Sequence, residues 1–164
     1  MSRRSQRGNM ILEAALFIPI LVLLLVGMVQ IGKITYLYYT LKKIVYSAAR
    51  QISVQQGVNF CDIANDANAI AAINFAITDG TGAPIIPNLT PDMLAIATEC
   101  SAPGDPTAAP VPCDVSACPT IGQRPDYVVV TIPNGYLVTP RIPFLNLDPI
   151  PLRPSVTVPF GGIS

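Results

Sequence analysis

Arg7 to Pro19 read R-G-N-M-I-L-E-A-A-L-F-I-P. A short basic stretch ends at Gly8, and one carboxylate, Glu13, stands at the mouth of an apolar run from Ala14 to Val29. Eleven Leu, Ile, Val and Phe residues lie between Leu16 and Val29. Each contributes roughly −0.3 to −0.6 kcal/mol to membrane insertion. A carboxylate at the bilayer centre costs on the order of 3 kcal/mol, and less at the edge. The segment therefore inserts, and it carries Glu13 in as an ionisable group that needs a partner. An intramembrane charge of this kind marks a functional site.

Other origins for the run fit worse. A removable secretory signal has a shorter apolar core followed by a small-x-small cleavage site. Here Leu25-Val26-Gly27 lacks the first small residue, and the helical pattern continues. A soluble core helix needs only one apolar face, whereas this run is apolar all round. A plain signal anchor would leave Glu13 unexplained.

Cleavage after Gly8 would supply the partner. It creates an amino terminus at Asn9, four residues from Glu13 and on the same helical face, in this molecule or in a neighbour. The arrangement resembles the prepilin signal of type IV pilin-like proteins, which a membrane peptidase cuts after Gly and which carry Glu at the fifth mature position. The closer resemblance is to the TadE-like pseudopilins of tight-adherence (Flp) systems. It rests on Gly8, Glu13, Ala15, Leu16, Pro19, Gly27, Ile31-Gly32 and Ala48-Ala49-Arg50, and covers about the first fifty residues. The resemblance implies recognition through Gly8, Asn9 and Glu13, and assembly roles for Glu13, Pro19 and Gly27. It also implies a minor role beside a shorter major pilin, with a prepilin peptidase, an export ATPase and a membrane platform as partners.

Beyond the lipid-length run the pattern becomes amphipathic. Ile34, Leu37, Leu41, Ile44, Val45, Ala48 and Ile52 recur at three and four, and neither Gly nor Pro intervenes between Lys33 and Gln56. One helix from about Met10 to Gln55 is expected, roughly 70 Å long at 1.5 Å per residue. Residues 14–32 cross the membrane, with Gly57 as a C-terminal stop. Tyr36, Tyr38, Tyr39 and Tyr46 follow the apolar end, where amphipathic rings favour the interface. Pro19 removes one backbone donor and is expected to bend or loosen the helix near Ala15. Gly27 and Gly32 permit close approach by another helix.

A second helix is expected over Asp62–Thr78, with Ile63, Ala67, Ile70, Ala71, Asn74 and Ile77 on its apolar side and Asp62 in its first turn. A third is expected from Pro91, capped by Thr90, to about Glu99. Residues 102–125 are too rich in Pro and Gly for regular structure. Tyr127–Ile132 and Ser155–Phe160 read as strands, and Gly135–Val138 as a possible partner. The apolar, proline-rich stretch Thr139–Pro154 is expected to cover the small sheet, the alternative being contact with the membrane or a partner. The chain thus divides into a leader (1–8), a long helix (9–56), a helical part (57–101), a loop (102–125) and a sheet (126–164). The fold class is α+β: a membrane-spanning helix continuing into a small exported domain of two short helices and a two- to three-stranded antiparallel sheet.

Cys61, Cys100, Cys113 and Cys118 all follow the first helix, and an even number in an oxidising compartment argues for disulfides. The favoured pairs are Cys113–Cys118 and Cys61–Cys100. The chain has no His, which removes the commonest catalytic base and metal ligand. The acids are scattered singly, so neither catalysis, nor a cofactor, nor a metal is expected.

From Gln51 onward three Arg face nine Asp or Glu, while the leader alone carries three Arg. This asymmetry implies a cytoplasmic N-terminus and an exported C-terminal domain, and it argues against nucleic-acid binding. The functional expectation is a non-enzymatic assembly subunit of a Flp-type pilus in the bacterial inner membrane, supporting pilus biogenesis and adhesion alongside other pilins. The alternative is a membrane-tethered binding module that never polymerises.

Overall fold

The computed structural model describes residues 3–102, 108–114, 124–142 and 145–161. The fold is α+β and forms two compact units. One comprises Met1–Leu37 and Val138–Ile150, the other Tyr38–Leu137 and Pro151–Ser164.

Helix α1 spans Arg3–Val54. It starts seven residues before the expected Met10, because Arg, Ser and Gln all tolerate a helix and only Gly8 opposes it, by about 1 kcal/mol. The helix also runs unbroken through Pro19, where a loosening is expected from the sequence. After its end, Gly57 takes the left-handed conformation (φ +78°) that glycine adopts without penalty.

In the larger unit α1 contributes Leu41, Ile44, Val45, Ala48, Ala49 and Ile52 to the core, all buried. This is the predicted stripe from Leu41 onward, widened by Ala49. Ala48 and Ala49 are completely buried, which explains the small residues at this point of the helix.

A 3-10 turn at Phe60–Asp62 then leads to α2, Ala67–Ile77. Asp66, rather than Asp62, starts this helix. Its Oδ1 accepts from the Ala69 N–H (2.9 Å), and its Oδ2 accepts from the Asn59 N–H (3.1 Å). The buried face is Ala69, Ala72, Ile73, Ala76 and Ile77, so Ala67, Ile70, Ala71 and Asn74 of the predicted face lie outside.

The third predicted helix is replaced by a single 3-10 turn, Pro91–Met93, and then a strand. Thr90 gives no side-chain cap, and Leu94 is already extended. Strand β1, Ala95–Cys100, pairs antiparallel with β3, Tyr127–Thr131, from Ala95↔Thr131 to Glu99↔Tyr127. Five paired residues against a Val-rich strand override the weak helical preference of an Ala-containing segment. β2, Val111–Pro112, adds to the other edge of β1, inside the stretch expected to lack regular structure. Its proline is tolerable because an edge strand has one side free of ladder bonds.

β8, Ser155–Pro159, pairs antiparallel with β3 on its other side. The sheet order is therefore β2-β1-β3-β8, four strands where two or three are expected. Val128 and Val130 point inward from β3 and are fully buried, as alternation requires. Past β8, Gly161 N donates to Ser53 O (3.2 Å) and the Phe60 and Phe160 rings meet edge-on at 5.1 Å.

Between β3 and β8 lie four short strands: β4 (Tyr136–Val138), β5 (Arg141–Ile142), β6 (Leu145–Asn146) and β7 (Ile150–Leu152). They form two two-stranded ladders, β4-β7 and β5-β6. Gly135 before β4 has φ +76°, and a Cβ there would stand 2.8 Å from Pro151 Cβ, so no other residue fits without a shift. Most of the stretch expected to cover the sheet belongs instead to the smaller unit, where Leu147 and Ile150 are exposed. Only its end, with Leu152 and Pro154, is buried in the larger unit.

The disulfide pairing also differs from the expectation. Cys100 bonds Cys113, with Cα atoms 5.0 Å apart. Antiparallel pairing of β1 with β2 sets Cys100 opposite Val111 and so brings Cys113 alongside, a register that cysteine spacing does not disclose. Cys61 is also disulfide-bonded. Cys118 lies outside the described residues.

One ionisable contact gives this unit a pH dependence. Asp126 Oδ2 accepts from the Ser101 N–H at 2.6 Å and ties the end of β1 to the start of β3. This hydrogen bond holds the Asp126 carboxyl below its ordinary value. A depressed carboxyl pKa contributes stability that is complete above the unfolded value, about 3.9. The contribution fades as pH falls through the folded pKa. Asp126→Asn is therefore expected to lower the denaturant midpoint at pH 7 and to differ from the parent progressively less below about pH 4. Urea titrations of both proteins across that range measure it, and a difference that grows on acidification would contradict it.

Candidate functional site

The candidate site lies on α1 in the smaller unit. Gly8 and Asn9 are on the backbone of that helix, ahead of Glu13. Four residues from Asn9 to Glu13 make about one turn, an axial rise of roughly 6 Å. The Glu13 side chain is exposed. Beyond it the helix presents Leu16, Phe17, Ile18, Ile20, Leu21, Val22, Leu23, Leu24 and Leu25, every one at least 45 % exposed.

This surface is long and apolar enough to cross a membrane, and none of its most apolar window is buried by the protein. Apolar exposure on this scale exceeds what water-soluble surfaces carry and requires lipid or a packed partner. Gly27 and Gly32 face open space, with no atom within 4 Å of an added Cβ. They leave the helix flank bare for close approach by another backbone. Pro19 sits within the same surface.

Chemically, the arrangement is one carboxylate at the edge of an apolar cylinder. A single carboxylate so placed can pair with a cation. Among the described residues no group of three or more His, Cys, Asp or Glu comes together to hold a metal. In the larger unit a cleft of about 340 Å³ is lined by Ala64, Ile70, Ile73, Pro91, Asp92, Leu94, Ala95 and Ile96. Its only charged side chain is Asp92, so it offers no catalytic set.

The site includes a residue that the sequence reading passed over. Gln30 Nε2 donates to the Arg141 backbone carbonyl at 2.7 Å, fastening the β5-β6 hairpin to α1 within the smaller unit. The local signal was present, because Gln30 is the one polar side chain between Glu13 and Lys33. Its partner, 111 residues away, left no mark in the local pattern.

No curated protein and no solved structure matches the chain. Over residues 8–50, from the glycine ahead of Glu13 to the arginine that closes Ala48-Ala49-Arg50, the chain matches the family described as TadE-like protein.

Proposed function

We infer that the protein is a minor pseudopilin of a tight-adherence, Flp-type pilus, a structural subunit cut after Gly8 by a prepilin peptidase. Residues 14–32 hold it in the bacterial inner membrane, N-terminus in the cytoplasm and the larger unit exported. There it works with other pilins and the assembly platform in pilus biogenesis and adhesion.

The observation that carries this reading is the TadE-like match over residues 8–50 together with Glu13 at the mouth of an exposed, membrane-length apolar surface. The Cys100–Cys113 bond supports export, because structural disulfides persist in oxidising compartments. The leader arginines support the orientation.

Intact-mass measurement and N-terminal sequencing of protein from its membrane are the test. A start at Asn9 is expected. Gly8→Leu is expected to block the cut, so that full-length protein accumulates in the membrane. Normal maturation of Gly8→Leu would refute the assignment, and a parent protein retaining its leader would leave a tethered envelope domain instead.

A further inference from the structure

Gln30 lies one turn short of Lys33, the first charge after the apolar run. With residues 14–32 crossing the bilayer, its amide sits about 5 Å inside the level of Lys33 at 1.5 Å per residue. An amide at that depth has little water and needs a protein partner. The Arg141 carbonyl provides it at 2.7 Å. The β5-β6 hairpin is thereby fixed at the depth where the apolar surface ends.

The composition of this excursion suits that depth. Leu147 and Ile150 are exposed, each at 41 %, although both are aliphatic. Arg141, in the same excursion, is exposed and has the long stem that lets a cation reach the headgroups while its methylenes stay in the apolar layer. Prolines at 140, 143, 149 and 151 remove four backbone N–H donors, and the antiparallel pairing of β5 with β6 takes up part of the remainder. Each donor removed or paired lowers the cost of leaving water. Asp148 offsets the charge of Arg141, so aliphatic burial rather than anionic lipid drives the contact.

We propose that Leu147–Ile150, which follow β6, form a second membrane contact, lying in the lipid interface beside the end of the span and held there through the Gln30–Arg141 bond. The occupant of the exposed Leu147 and Ile150 surface is lipid. This rests on the reading of residues 14–32 as a membrane span.

The chain contains no Trp, so Leu147→Trp introduces a single fluorophore. The full chain is reconstituted into phosphatidylcholine vesicles carrying bromine near the headgroup end of the acyl chains. Blue-shifted emission is expected, with most of the fluorescence lost to the brominated lipid and little lost to acrylamide. Adding Gln30→Ala is expected to reverse that pattern. Ile150→Trp repeats the measurement should the first substitution disturb folding, as circular dichroism would reveal.

Water-like emission that acrylamide quenches would overturn the proposal. So would a fluorophore shielded from both quenchers, which would mean that a second copy of the chain covers it. Val22→Trp separates this from failure of the span itself: it must be quenched by lipid brominated deep in the acyl chains. Quenching at Val22→Trp without quenching at Leu147→Trp refutes the second contact alone.

Discussion

On the proposed function, the Glu13→Ala protein is expected to insert and to be cut after Gly8 as the parent is, yet to co-purify with pilin partners two to three orders of magnitude less. Insertion survives because the substitution removes the only charge from the apolar segment, which makes the segment easier to transfer. Assembly should fail because, on that reading, the amine created at Asn9, on the same subunit or a neighbour, is left as an unmatched cation in a low-dielectric setting. Breaking a buried ion pair by removing one partner costs about 3–5 kcal/mol, and each 1.4 kcal/mol is a factor of about ten. Glu13→Gln keeps the shape and loses the charge, so it should fail almost as badly. Cross-linking and co-immunoprecipitation from membranes measure both, and parental levels of association in either variant would remove the charge from the mechanism.

The second large effect falls on stability. Ile52 is completely buried in the larger unit, while Val54, two residues on, is more than half exposed. Ile52→Ala removes three carbons from a packed site and should cost about 2–5 kcal/mol. Whole domains have only about 5–15 kcal/mol in reserve. Val54→Ala should stay within about 0.5 kcal/mol. Urea titration of the protein in a fixed detergent, followed by circular dichroism, separates them. Equal midpoints would mean that the stripe on α1 is not part of this core.

The long helix was legible because two signals agree along it. A run apolar on every side is followed by apolar residues at three and four, and burial from Leu41 to Ile52 follows that second pattern. The strand at Tyr127–Thr131 was legible for a similar reason, since a run of valines suits a pleated, half-buried surface. The face of α2 was not. Its sequence A-N-A-I-A-A-I-N-F-A-I is apolar on nearly every side, so period alone does not select Ala69, Ala72 and Ala76 over Ile70 and Ala71.

The segment after Pro91 misled for another reason. Proline after threonine is a sound local helix start, but β3 offers Ala95–Cys100 a ladder that local propensity does not register. Of the candidate site, Glu13 and the glycines were visible as exceptions within an apolar run. The Gln30–Arg141 hydrogen bond was not visible, because it depends on where a distant hairpin comes to rest.

The bond between Cys100 and Cys113 changes what a protease can accomplish. A single nick in the twelve residues between them, S-A-P-G-D-P-T-A-A-P-V-P, leaves both fragments joined at the edge of the sheet. On a denaturing gel the nicked chain would run as one species until reductant is added. Clipped within this proline-bearing segment, the protein would thus keep its C-terminal part tethered to the sheet edge.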